Sequence, residues 1–183
     1  MGYVGKSMEI EKLYLNLGCG DDVREGWQNC DLPANPKADI HLDLEDAKLP
    51  FEDNSVALVT AFHVLEHVRN FIPLMNEIYR VLQPNGILHM KLPEFPCAAS
   101  VADPTHVRYF TPETFTLIHN PLAGYDTSGL RGKFEIRFME SLPHDRPGAD
   151  RKGVGSFFTE LEVELQAIKI GQMNEKGTDI SEQ

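Results

Sequence analysis

The 183 residues, 42% of them hydrophobic, suffice for one substantial core and fall short of two, so one domain is expected over residues 1–171, with a polar, disordered tail over 172–183. A formal charge of −11 would repel a phosphate backbone and disfavours a nucleic-acid partner. Cys19, Cys30 and Cys97 form no CxxC pair, no run approaches the roughly 18 apolar residues of a membrane span, and the first dozen residues lack the apolar stretch of a secretory signal, so a reducing, cytoplasmic setting is expected.

"LYLNLGCG" (13–20) opens the chain's structure as an apolar run ending in glycines, the pattern of a buried parallel strand entering a close-approach loop. A second short run, "WQNCDL" (27–32), follows with hardly room for the dozen residues of a helical crossover. "ADIHLDL" (38–44) alternates as a third strand, and "VALVTAFHV" (56–64) reads as a central buried one. In "NFIPLMNEIYRVLQPNG" (70–86), Phe71, Leu74, Met75, Ile78, Val81 and Leu82 fall on one helical face, with Asn70 as N-cap and "PNG" as the stop. "GILHMKLP" (86–93) makes a fifth strand, and a loop-rich segment runs from Glu94 to about Phe110. "TPETFTLIHN" (111–120) predicts a short helix capped by Thr111 with Pro112 in its first position; Thr114 in place of a glutamate or glutamine argues against a reciprocal capping box. "KFEIRFMESL" and "TELEVELQAIKI" alternate regularly, as an antiparallel hairpin at a sheet edge would. The order predicts an α/β doubly wound, Rossmann-like, mostly parallel sheet ending in that hairpin, with ligands bound beyond the carboxyl ends of the strands.

"HVLEHV" (63–68) contains HxxEH, which in a zinc hydrolase would make His63 and His67 ligands and Glu66 a base. Pro73 decides against it: proline fits a helix's first turn and would kink a helix begun at His63, so the two histidines precede the helix and no metal is expected. A nicotinamide fingerprint is also demoted, because Val23 stands where a third glycine is needed and Asp31 lies only eleven residues past Gly20.

Taken together, "LYLNLGCG", "DLEDAKLPFEDNS", "HVLEHV" and "EIYRVLQPNGILHMKLP", in that order from about Leu13 to Pro93, resemble the class I S-adenosylmethionine-dependent methyltransferases. The resemblance implies S-adenosylmethionine as cofactor, with Gly18 and Gly20 facing its methionine part and Cys19 as a small filler between them. Asp31, beside Leu32, would take the ribose hydroxyls, Asp43 with the Leu44 amide the adenine, and His63 would line the methionine end. Three departures stand out. The first crossover shrinks to "DDVREGWQN", which would leave one flank of the site open or covered by another subunit; Ala57 replaces an aspartate; and Asn85 in "PNG" is expected in a left-handed turn.

"DPTHVRYFTPETF" (103–115) lies where this fold puts acceptor-binding groups. If the acceptor is a hydroxyl, His106 is the first candidate for general base and His63 the second. Arg108 could grip an acidic group by a forked hydrogen bond and Tyr109 would add a contact; the structural alternative is that Tyr109 anchors the following helix while Arg108 pairs with a surface acid. The expected reaction is methyl transfer to an oxygen or nitrogen of a small-molecule or glycan-like acceptor, homo-oligomerisation being left open. A non-catalytic cofactor-binding or partner subunit is the alternative that the missing crossover helix favours.

Overall fold

A computed structural model of the chain describes residues 12–120, 129–145 and 157–169, so the expected tail lies outside the described residues. Its strands are β1 (Leu13–Leu17), β2 (Gln28–Asp31), β3 (Ile40–His41), β4 (Val56–Phe62), β5 (Leu82–Pro93), β6 (Phe134–Asp145) and β7 (Phe157–Ala167). They form one sheet in the order β3-β2-β1-β4-β5-β7-β6. The chain starts mid-sheet at β1, steps outward to β3, and returns to β4 on the other side of β1, all in parallel. β7 then pairs antiparallel with β5, and β6 antiparallel with β7. This is the expected doubly wound order with an antiparallel edge, and its switch point falls between β1 and β4.

Helix α1 (Phe71–Val81) buries Phe71, Leu74, Met75, Ile78 and Val81, the face its spacing predicts. Pro73 sits in its first turn, and the two histidines of HxxEH precede it, with Leu65–His67 forming a single 3-10 turn. Asn70 occupies the N-cap position, but its side chain turns away to donate to the Glu45 carbonyl at 2.6 Å. The Glu45 carboxylate instead accepts the Arg69 and Asn70 amides, at 2.9 and 3.0 Å. A five-residue helix, α2 (Ala98–Ala102), interrupts the segment expected to be loop; one turn is too short to show a period. In α3 (Pro112–His119), Thr114 Oγ1 accepts the Thr111 amide at 3.2 Å, so a threonine completes the capping box expected to be missing. β3 keeps only two residues of its alternating run because Asp43 accepts the Glu45 amide and starts a 3-10 turn. Asn85 adopts φ 62°, the left-handed turn expected of it.

α1 and α3 cover one face of the sheet, packing Leu74, Ile78, Phe115 and Ile118 into a core with Leu15, Leu17, Val59, Ala61, Leu88 and Met90. The opposite face is mixed, carrying a polar row between Tyr14, Leu58 and Ile87 on one side and Phe62 on the other. Asn29, Asn16, Thr60, His89 and Glu164 stand in register across β2, β1, β4, β5 and β7, and one row along, Lys91 pairs in register with Glu162. This face explains how β1 and β2 can be joined without a helix. Arg24 of the short connection donates to Thr60 Oγ1 at 2.9 Å and to Asp22 at 2.5 Å, and its guanidinium lies 4.9 Å from the ring centroids of both Trp27 and Phe62. Asn29 accepts the Arg24 amide and donates to its carbonyl, closing the loop onto the strands. Arg24→Met keeps the aliphatic contact and loses the charged hydrogen bonds, so urea unfolding should show a loss of about 1.5–3 kcal/mol; an unchanged midpoint would mean the loop is held by its backbone alone.

Candidate active site

Two cavities open at the carboxyl ends of the parallel strands. The first, about 350 Å³, is lined by Gly18, Asp31, Leu32, Leu42, Asp43, Leu44, Glu45, Val64, His67 and Val68. Its walls are the ends of β1, β2 and β3 and the turn after β4, and its volume lies within the range of small-molecule sites, roughly 300–1,000 Å³. Gly18, at φ 64°, brings the backbone against Val64, and no space remains for a Cβ there.

Asp31 accepts four protein hydrogen bonds: the Gly20 amide and Asn35 Nδ2 reach its Oδ2, both at 2.8 Å, Cys19 Sγ reaches the same oxygen at 3.8 Å, and the Leu32 amide reaches its Oδ1 at 2.7 Å. Burial pulls its carboxyl upward, but the donors Asn35, Leu32 and Gly20 outweigh it and hold Asp31 below the usual carboxylate range. Oδ1 retains a direction for a further donor. Asp43 Oδ1 accepts the Glu45 amide, whereas the carboxylate of Glu45 is spent on Arg69 and Asn70; of the acids near the third strand, Asp43 is the one left facing the cavity with acceptor capacity.

The sequence-predicted cofactor residues therefore divide. Gly18, Asp31, Leu32, Asp43 and Leu44 share this cavity. Cys19 does not line it: the residue is 4% exposed and its Sγ lies 3.8 Å from Asp31, where burial and then that carboxylate push the thiol up, while burial pushes Cys30 up to about 12. Neither is poised as a thiolate nucleophile. Gly20 acts from behind, through its amide on Asp31. His63 lies outside this cavity altogether, because its φ of 52° turns the chain after β4 and carries the side chain toward β7. Leu42, Val64 and Val68, which help complete the walls, carry no polar signature that sequence reading could have singled out, and His67 drew notice only through HxxEH, not as a wall of this cavity.

The second cavity, about 420 Å³, is lined by His63, Glu66, His67, Pro93, Ala99, Ala102, Asp103 and His106. His67 lines both cavities and so forms the wall between them. His106 lies at the floor with its side chain 8% exposed, Nδ1 donating to the Ser100 carbonyl at 3.0 Å. His63 is at the rim, 43% exposed, with Nε2 2.8 Å from Glu160 and Nδ1 3.8 Å from Glu66. The Glu66 and Glu160 carboxylates hold its imidazole above the ordinary histidine range against the opposing effect of burial. Glu160 enters from β7, opposite Pro93, a placement that no spacing in the sequence announces.

Neither expected substrate residue lines this second cavity. Arg108 donates to the Arg69 carbonyl at 2.9 Å and stacks 5.0 Å from the Phe71 ring, on the Glu45 side of the first cavity. Desolvation moves its guanidinium below its ordinary range, though it stays charged at any working pH. Tyr109, 52% exposed, packs against Phe95 at 5.7 Å. Arg108 thus meets a carbonyl and a ring rather than a surface acid, and Tyr109 packs on Phe95 rather than on α3, so their contacts differ from both expectations.

No curated protein matches the chain in sequence. The methyltransferase domain family matches residues 15–90. Among solved structures, a proposed methyltransferase of Bacillus halodurans aligns at 13% identity with a TM-score of 0.63, over 89% of this chain and 95% of its own. A SAM-dependent methyltransferase of Methanosarcina mazei aligns at 15% identity and TM-score 0.56, over 86% and 93%. The 16S rRNA (adenine(1408)-N(1))-methyltransferase of Catenulisporales acidiphilia, determined with its cosubstrate, gives 16% and 0.56, over 88% of each. At such identities the likeness is one of fold. The family match places a methyltransferase domain over residues 15–90, in a fold shared with S-adenosylmethionine-dependent methyltransferases and with a glycine at the first strand end and acids at the next two, and S-adenosylmethionine is the cofactor that such a domain implies.

Proposed function

We propose that this methyltransferase acts on an oxygen or nitrogen of a small-molecule or glycan-like acceptor held in the second cavity. The observation that carries this reading is the shared wall: His67 borders both cavities, so an acceptor in the second lies beside a cofactor in the first. The concave second site and the charge of −11 both favour a compact acceptor over a nucleic acid.

In this reading Asp31 takes the ribose hydroxyls through Oδ1, Asp43 accepts from the adenine amine, and Gly18 lets backbone approach the methionine part. The sulfonium supplies the methyl group and a neutral thioether as leaving group. Transfer destroys charge, so the protein's work is to align the acceptor, exclude water and take one proton. His63, at the rim and backed by Glu160, suits proton removal better than His106, whose side chain is buried in the floor.

Asp31→Ala should weaken S-adenosylmethionine binding by about 1.5–3 kcal/mol, roughly 10- to 150-fold, in calorimetric titration. In the wild type, affinity should stay flat as pH falls through the ordinary carboxylate range. The sign follows from the lowered pKa: Asp31 keeps its charge there, and the contribution is lost only as pH falls through the depressed value. An unchanged Kd in the variant would remove Asp31 from the ribose. Release of S-adenosylhomocysteine in the presence of polyhydroxylated small molecules, against structured RNA, tests the acceptor; turnover on RNA alone would overturn it.

A further inference from the structure

Glu66 presents a problem that methyl transfer does not solve. Its side chain is 2% exposed, and its Oε2 has no hydrogen-bond partner among the described residues. A buried carboxylate oxygen without a donor is costly, and native folds keep such groups where something else satisfies them. Around it stand three imidazoles: His63 Nδ1 lies 3.8 Å from Oε1, and one oxygen of Glu66 and one ring nitrogen each from His67 and His106 lie within 4.8 Å of one another.

The hydrogen bonds behind the His67 and His106 rings fix what they show to Glu66. His106 Nδ1 donates to the Ser100 carbonyl at 3.0 Å, so its Nε2 carries a lone pair, and that atom stands 4.0 Å from Glu66 Oε1 and 3.9 Å from Asp103 Oδ2. Thr105 gives its hydroxyl hydrogen to Asp103 Oδ1 at 2.6 Å, so towards His67 it can only accept. His67 Nδ1 therefore donates to Thr105, 3.0 Å from the hydroxyl and 3.3 Å from the carbonyl, and its lone pair is also on Nε2. Acceptor faces acceptor, an arrangement that a cation resolves, whether a proton on one imidazole or a metal ion between them. Carbonyls that hold Nδ1–H and point Nε2 inward are also the usual support of metal-ligating histidines.

We propose that Glu66, His67 and His106 bind a divalent transition-metal ion, with Asp103 at its edge and an open position toward the second cavity. Three nitrogen and oxygen ligands with one position left open make a catalytic rather than a structural pattern, and two imidazoles favour zinc or its neighbours over magnesium. Bond lengths of about 2.0–2.2 Å put tetrahedral ligands roughly 3.4 Å apart, so small side-chain rotations close the site. This is not the HxxEH arrangement: His63 stays out, and the third ligand comes from the 103–115 segment. The expectation of no metal rested on Pro73 interrupting HxxEH and on methyl transfer needing none, and neither ground takes the 103–115 segment into account.

The inference rests on reading the second cavity as the acceptor site. There the ion would hold an acceptor hydroxyl oxygen. Its proton passes to His63, a C–O bond forms as the C–S bond of the sulfonium breaks, and the products are a methyl ether and a neutral thioether.

The test uses the full chain freed of metal by a chelator and titrated with Co²⁺, read by the visible absorption of the bound ion. One saturable equivalent per chain is expected, displaced by Zn²⁺ and not by equal Mg²⁺. Glu66→Gln and His106→Gln should lose it, and His119→Gln, a change on α3 remote from the cluster, should keep it. S-adenosylmethionine titration of each variant reports folding, and His106→Gln serves if Glu66→Gln does not fold. Loss of Co²⁺ with retained cofactor binding supports the site. Cofactor binding by a wild type that takes up neither Co²⁺ nor Zn²⁺, or wild-type Co²⁺ affinity in His106→Gln, overturns the metal while leaving the methyltransferase reading intact. Failure of the wild type to bind cofactor with or without metal counts against that reading instead.

Discussion

Gly18→Ala should destabilise the protein by about 2–5 kcal/mol in urea unfolding and abolish measurable S-adenosylmethionine binding. Two penalties add. The left-handed φ of 64° costs a residue with a Cβ about 1–2 kcal/mol. The added Cβ would stand 2.4 Å from Val64 Cγ2 and 2.7 Å from its Cβ, and overpacking of that kind typically costs about 1–3 kcal/mol. Valine cannot step aside cheaply, because branching at Cβ holds χ1. Since Val64 lines the first cavity, where the cofactor is proposed to bind, the displacement falls on that wall. Gly20→Ala is the control: φ is 51°, nothing lies within 4 Å of the added atom, and a loss of only about 1–2 kcal/mol is expected. Equal losses at the two positions would mean that contact with Val64 contributes nothing.

His63→Gln should lower turnover about 10²- to 10⁴-fold, the range for a positioned general base, and leave the cofactor Kd unchanged. His63 does not line the cofactor cavity, so affinity has no reason to move. Its Nε2, 2.8 Å from Glu160, carries the proton that this carboxylate accepts, which makes Nδ1 the basic nitrogen. The backbone supports the assignment: a non-glycine residue at φ 52° costs about 1–3 kcal/mol and persists where neighbouring contacts over-determine it, here the His63 amide on the Lys91 carbonyl at 2.8 Å. Intact turnover in the variant would take His63 out of the reaction.

The strand order was legible because β4 reads as a nearly continuous apolar run, β1 as an apolar run ending in glycines and β5 as a strand after the "PNG" stop, and Pro73 located the start of α1. The first cavity was legible in part for a related reason: Gly18, Asp31 and Asp43 are strand-end residues, and chain order alone puts strand ends together. The second cavity was not, because it depends on how distant elements converge. His63 was expected beside the cofactor and faces Glu160 of β7, and His106 reaches Glu66 only through α2, whose single turn left no periodic trace. Arg108 and Tyr109 looked like substrate groups from composition; packing on Phe71 and Phe95 is a tertiary outcome that composition does not encode.

The mixed face of the sheet sets the temperature behaviour of the protein. Unfolding raises heat capacity in proportion to the apolar area it exposes, on average about 12–15 cal/mol/K per residue, and exposed polar area works the other way. A sheet face on which Asn16, Thr60, His89, Lys91 and Glu162 alternate with Tyr14, Leu58, Phe62 and Ile87 has less apolar area to give up than a wholly apolar face. Its stability curve is accordingly flatter than that of a sheet covered by helices on both sides, and the ion pairs of Lys91 with Glu160 and Glu162 make its height sensitive to salt.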